Sequence, residues 1–205
     1  MPIIDKHKLI YLHVPKTGGS SIIKALGIWE NKEALHDYSP REVHGIWYTP
    51  QHYTGLMLKY GFPKKFEQYK KFITVRNPYT RAVSCYMDKM RHYCPYRFII
   101  EKLDKEHFYH FMLKNTSTIT IDHFLPQVRY IGPFVTDHVI RFENLEQGFQ
   151  ELCRNYNIKT ELPMENVSGQ PVSTDELASQ MDRKTIDLIN NVYKKDFEFF
   201  NYEKK

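Results

Sequence analysis

His13-Val14-Pro15-Lys16-Thr17-Gly18-Gly19-Ser20-Ser21 follows the apolar run Leu9-Ile10-Tyr11-Leu12 and precedes residues 20–26, which suit a helix. A strand, a Gly-Gly turn carrying a lysine, and hydroxyls at a helix start form the layout of a site for phosphate or a phosphate-like anion. Glycine lets the backbone turn tightly and bring amides against a ligand, and the helix start adds positive partial charge. The nucleotide-kinase loop, Gly-x4-Gly-Lys-Ser/Thr, has its lysine after the glycines, whereas Lys16 precedes Gly18 and Gly19. The kinase arrangement also needs an apolar strand ending in a metal-binding aspartate. No segment reads that way, so the sequence predicts an anion site without metal.

A second junction of the same kind lies downstream. Phe72-Ile73-Thr74-Val75 is a β-branched and aromatic run, and Arg76-Asn77-Pro78-Tyr79-Thr80-Arg81-Ala82-Val83-Ser84 follows it directly. Asn77 can cap a helix whose first residue is Pro78, where a missing N–H costs nothing. Arg76 then stands at the strand's carboxyl end, and Ser84 two turns into the helix, close enough to share one anion. A guanidinium suits phosphate because it is always charged and can bond two oxygens. Anion sites on two strand ends point to one ligand with phosphates at both ends.

These residues resemble the PAPS-dependent sulfotransferases, in particular the carbohydrate branch. Pro15-Lys16-Thr17-Gly18-Gly19-Ser20-Ser21 is similar to that family's 5′-phosphosulfate loop, and Val75-Arg76-Asn77-Pro78-Tyr79-x-Arg81-x-Val83-Ser84 to its 3′-phosphate element. Looser matches are Arg141-Phe142-Glu143-Asn144-Leu145 and Tyr193-x2-Asp196-Phe197-x2-Phe200-x-Tyr202, which extend the likeness over most of the chain. The resemblance implies 3′-phosphoadenosine 5′-phosphosulfate (PAPS) as sulfuryl donor, a hydroxyl acceptor, by analogy a glycan, and no metal. Lys16 would stabilise the bridging oxygen as its bond breaks. Thr17, Gly18, Gly19, Ser20 and Ser21 would hold the 5′-phosphate, and Arg76 and Ser84 the 3′-phosphate. His52, in Gln51-His52-Tyr53-Thr54-Gly55, matches the family's catalytic histidine; His44 and His123 are the reserve candidates for the base, and His13 braces the strand end.

Composition agrees with one enzyme domain over residues 1–205. A chain of 205 residues, 41% apolar and 15% aromatic, can bury an ordinary core. Its 29 Lys and Arg against 24 Asp and Glu suit an anionic cofactor as well as an ordinary solvated surface, and no nucleic-acid partner is expected. The apolar runs are strand-sized, and charges in residues 1–12 spoil a signal peptide, so the chain reads as cytoplasmic; the Golgi lumen applies only to an excised domain. Cys85, Cys94 and Cys153 lack metal spacing and read as buried free thiols.

Strands are expected at 8–13, 71–75 and 137–142, and helices at 20–27, 54–60 (with Gly61 as a left-handed cap), 78–92, 145–156 (capped by Asn144) and 183–199. Residues 39–50 read as irregular, 93–124 as partly helical, and Ser173 caps a turn with Glu176 in capping-box spacing. Strands alternating with helices predict an α/β fold, a P-loop-like three-layer sandwich with a central parallel sheet flanked by helices. Ligands of such sheets lie beyond the strand carboxyl ends, where both anion motifs fall.

Arg81 and Arg141 read as structural, Arg141 as an ion-pair partner. Glu143 and Asn144 read as caps, Asp196 as an anchor for the last helix, and the aromatic block 92–111 as mostly core. Two other classes remain open: a metal-dependent P-loop kinase, and a non-catalytic binder of nucleotide or sulfated glycan. Acceptor choice falls to loops 28–52 and 93–136, whose composition names no particular alcohol, and oligomeric state is not legible.

Overall fold

Apolar residues that alternate between two faces of a sheet must be covered on both sides, and this chain supplies helices for each. The computed structural model describes residues 3–28, 41–93, 99–163 and 171–205. Among them, strands run over Ile3–Ile4 (β1), Leu9–Leu12 (β2), Arg41–Val43 (β3), Ile46–Tyr48 (β4), Lys70–Val75 (β5) and His138–Arg141 (β6). Helices span Gly19–Ala25 (α1), Gly55–Gly61 (α2), Pro63–Gln68 (α3), Pro78–Tyr93 (α4) and Lys105–Ser117 (α5). They continue with Val128–Ile131 (α6), Leu145–Asn155 (α7), Thr174–Ser179 (α8), Arg183–Val192 (α9) and Lys194–Phe199 (α10).

The main sheet has the order β1-β2-β5-β6. β2 and β5 run parallel with Leu12 opposite Ile73, and β5 and β6 run parallel with Val75 opposite Arg141. The carboxyl ends of the three parallel strands therefore share one rim, as the α/β expectation requires. Ile10, Leu12, Ile73 and Val75 pack with Leu58 of α2, Phe66 of α3 and Tyr130 and Ile131 of α6. The alternate residues Leu9, Tyr11, Phe72 and Ile140 pack with Ile22 and Ile23 of α1 and Phe149 and Leu152 of α7. Burying each such side chain contributes about 1.5–3 kcal/mol. A third cluster joins Tyr79, Val83 and Tyr86 of α4 to Phe108 of α5, Leu177 of α8, Ile189 of α9 and Phe197 of α10.

Several local expectations need correction. β1 adds an antiparallel edge to the sheet; a two-residue strand has no periodicity to read. Within the stretch read as irregular, β3 and β4 form a hairpin around His44 and Gly45, both with positive φ (52° and 75°), the backbone that a tight hairpin turn demands. Gly61 is the last residue of α2 and not a left-handed cap. The helix stops at Phe62 (φ −140°) because Pro63 bars the residue before it from helical geometry. The single helix expected over 183–199 breaks at Tyr193 into α9 and α10. Asn144 makes no side-chain cap to α7. Asn77 and Ser173 do cap, accepting from the Tyr79 and Glu176 amides at 3.0 and 3.1 Å.

Candidate active site

The rim opens into a cleft of about 810 Å3 whose lining includes Lys16, Gly18, Gly19, Ser20, Ser21, His52, Arg76 and Ser84. Of the nine residues singled out from the sequence, eight meet there, although they come from three separate segments. Thr17 is the exception. Its hydroxyl is fully buried, donates to the Val14 carbonyl at 2.7 Å and lies 2.6 Å from the Thr74 hydroxyl, which Tyr11 also contacts. Thr17 thus ties the loop to β5, and its side chain does not line the cleft.

The loop itself is held in unusual geometry. Lys16 and Gly18 both have positive φ (68° and 83°), and a Cβ on Gly18 would come within 2.6 Å of Leu145. For lysine that backbone is disfavoured, so the neighbours must hold it. Arg81, buried at the end of α4's first turn, does part of this by donating to the Pro15 carbonyl at 3.3 Å and to the carbonyls of His123 and Leu125 at 3.0 and 2.8 Å. Its role is structural, as expected, but its partners are backbone carbonyls. The Lys16 ammonium donates to Asp88 at 2.7 Å. Burial resists ionisation of Asp88, yet Lys16 outweighs it and holds the carboxyl below its ordinary range. Asp88 lies four residues beyond Ser84, and Ser84, Met87, Asp88 and Arg91 all line the cleft, so α4 presents one i, i+3, i+4, i+7 stripe to it.

At the β5 side of the cleft, Arg76 is 5% exposed and clamped through its main chain: its N–H donates to Gln127 at 2.9 Å, and the Gln127 amide donates back to its carbonyl at 2.8 Å. Its guanidinium lies 3.9 Å over the Phe142 ring and donates to Thr80 and Thr174 at 3.1 and 2.5 Å and to the Lys16 carbonyl at 3.3 Å. Burial pushes its pKa down to about 10, which leaves it charged at neutral pH. Asp196, fully buried, accepts from the amides of Gln127 and Val128 at 2.8 and 3.0 Å. It anchors α10, as expected, to the segment that carries the Arg76 clamp.

The histidine corner goes beyond what the sequence offered. His52 Nδ1 lies 2.9 Å from one oxygen of Asp122, and His123 Nδ1 lies 2.7 Å from the other. An ionised carboxylate only accepts, so each Nδ1 carries the proton and donates, leaving Nε2 of His52 with a free lone pair. Burial opposes ionisation of Asp122, but the hydrogen bonds from His123 and His52 overcome it and keep the carboxyl far below its ordinary value. For His52, burial dominates and lowers the pKa from its ordinary 6.5 despite Asp122. His52 is therefore neutral at physiological pH. The donor atoms of His52, Asp122 and His123 lie within 4.8 Å of one another, as in a metal site, and here both Nδ1 atoms are engaged by the carboxylate. The two reserve candidates separate: His123 lines the cleft, whereas His44 sits in the exposed hairpin turn.

Two residues near the site differ from their expected roles. Arg141 reaches the Phe200 carbonyl and the face of Tyr202 (4.5 Å) instead of pairing with a carboxylate. Glu143 bridges, accepting from the Asn77 amide at 2.7 Å and the Tyr202 hydroxyl at 3.0 Å, and does not cap α7. Cys85 and Cys153 are free and buried, and Cys94 lies outside the described residues. No helix among the described residues is long and apolar enough to cross a membrane.

The chain is 24% identical over 236 aligned positions to human carbohydrate sulfotransferase 9, a match covering 97% of this chain and 52% of that protein. It is 28% identical over 91 positions to carbohydrate sulfotransferase 10 of Rattus norvegicus, covering 44% of this chain and 26% of that protein, and likewise to the Mus musculus protein. The chain thus spans about half or less of the length of the curated relatives it matches. No solved structure matches it significantly. The family model described as "Sulfotransferase family" matches residues 1–203, and on that extent the chain belongs to the sulfotransferase family.

Proposed function

We propose that residues 1–205, acting as one domain, transfer the sulfuryl group of PAPS to a hydroxyl of a carbohydrate without a metal ion. The observation that carries this reading is the meeting of Lys16, His52, Arg76 and Ser84 in one cleft at the carboxyl ends of β2 and β5. The donor supplies an activated sulfur–oxygen bond; the chain supplies position, charge and a base. Arg76 and Ser84 hold the 3′-phosphate, while the 15–21 loop holds the 5′-phosphosulfate. Phe142, Leu145, Leu162 and Pro163 give the adenine an apolar wall.

As the acceptor oxygen bonds to sulfur, the bond from sulfur to the bridging oxygen breaks. The hydroxyl proton goes to His52 Nε2, and the electron pair stays on adenosine 3′,5′-bisphosphate, where Lys16 meets the developing charge. Before the donor binds, Lys16 is paired with Asp88, so phosphosulfate binding exchanges one anionic partner for another. The carbohydrate acceptor rests on the names of the relatives, both carbohydrate sulfotransferases. Radiolabelled PAPS incubated with a glycan panel in EDTA tests the reading: label on a glycan is the expected result. Label transferred only from ATP, and only with Mg2+, would replace it with a kinase.

A further inference from the structure

His13 leaves β2 between the anion loop and the base, and a bracing role does not account for its surroundings. The ring stacks on Tyr11, with centroids 5.0 Å apart, and its relative exposure is 6%, yet it lines the cleft. On one side its Nε2 stands so close to the loop that a Cβ at Gly19 would lie 1.8 Å away. On another side it meets the His52 ring edge-on, at 4.7 Å between centroids. Its Nδ1 is sealed in the protein with no hydrogen-bond partner. A residue needed only to fill space beside Tyr11 would be better as phenylalanine, which has no buried polar atom to leave unsatisfied.

We propose that His13 is a further catalytic residue, its Nε2–H donating a hydrogen bond to an oxygen of the transferring sulfuryl group. The assignment rests on the sulfuryl-transfer reading above and goes beyond it by naming the group that meets the sulfur's own oxygens. A ring in contact with both the phosphosulfate loop and the base borders the place where sulfur must pass from one to the other. The tautomer follows from the sealed nitrogen: a buried N–H without an acceptor is rarer than a buried acceptor without a donor, so the proton sits on Nε2. Burial keeps His13 far below its ordinary pKa, and the ring acts as a neutral donor that gives up no proton. Gly19 is required because any side chain there would displace the imidazole.

The test compares His13→Gln, whose side-chain amide nitrogen takes the place of Nε2, with His13→Phe, which keeps the stacking on Tyr11. Affinities for PAPS and for adenosine 3′,5′-bisphosphate, single-turnover transfer and denaturation midpoints are measured for each. Expected is a loss of about 10²-fold in transfer for His13→Phe, weaker binding of PAPS with unchanged binding of the bisphosphate, and recovery of most of the rate in His13→Gln. In the wild-type protein, the 15N resonance of His13 Nε2 should shift with PAPS and not with the bisphosphate, a readout that holds even if a variant fails to fold. A folded His13→Phe protein that transfers at the wild-type rate, or an Nε2 resonance indifferent to PAPS while the wild type transfers, overturns the assignment alone. A wild-type protein that transfers no sulfuryl group overturns the underlying reading and this assignment with it.

Discussion

Lys16 and Arg76 each lie just beyond the end of a strand, and the contacts that hold them begin with the same two junctions: the Arg76 guanidinium reaches the Lys16 carbonyl at 3.3 Å. His52, which lines the same cleft, depends on Asp122, 70 residues later in the chain, and shares that carboxylate with His123. The proposed anion end is therefore made by adjacent parallel strands, and the proposed base end by segments that only the folded chain brings together. The first is a consequence of topology, since β2 and β5 pair side by side. The second is a consequence of burial, which favours matching polar atoms and leaves one carboxylate between two imidazoles.

Substitutions should separate the two ends. His52→Ala removes the base and should lower the transfer rate by about 10²–10⁴-fold with little change in bisphosphate affinity, read by single-turnover kinetics beside calorimetry. Asp122→Asn, in which the amide no longer fixes the Nδ1–H tautomer, should cause a loss of the same kind. Lys16→Ala should cost about 10²–10³-fold in rate, again mainly in kcat, because that charge meets a transition-state oxygen. Arg76→Ala should act on affinity instead, weakening the bisphosphate by about 10- to 100-fold through loss of a charge-assisted contact. Equal losses of affinity and rate in the Lys16 and Arg76 variants would erase the division between the two ends.

Acidification should have the smallest effect of these perturbations. His52 must be neutral to accept a proton, and burial holds its pKa under 6.5, so the rate should be level at neutral pH and fall as the pH drops through that lowered value. Arg76, at about 10, keeps its charge throughout. Stability should move in the same direction: His13 and His52 resist protonation in the fold, the unfolded chain takes up more protons below about 6.5, and the folded state is favoured less. Urea midpoints at pH 7 and pH 5 check the sign, and a midpoint that rose on acidification would contradict it.

The sequence was most informative where one short segment holds both the secondary-structure signal and the chemistry. That Lys16 to Ser21 and Arg76 to Ser84 would meet at one rim could be read because the strand, the turn residues and the candidate ligand groups are contiguous. The inward turn of the Thr17 hydroxyl was not legible, since nothing local says that a hydroxyl in such a loop turns to Thr74. Asp88 carried a usable signal, four residues after Ser84 on one helix face. Asp122 carried none: its partnership with His52 spans two loops, and a lone Asp-His pair has many structural explanations. The strands themselves were legible as apolar runs, because residues such as Ile10 and Tyr11 are buried on opposite faces. The β3–β4 hairpin was hidden because its turn is His-Gly and its strands are three residues each.

On the proposed reading, one cleft takes a nucleotide with phosphates at both ends and needs no metal. Calorimetric titration of the wild-type chain and of Arg76→Ala with adenosine 3′,5′-bisphosphate in EDTA, beside ATP with Mg2+, tests it most directly. Tight bisphosphate binding without metal, weakened by the substitution, is expected. Binding of ATP with Mg2+ alone, or bisphosphate binding that ignores Arg76, would contradict it.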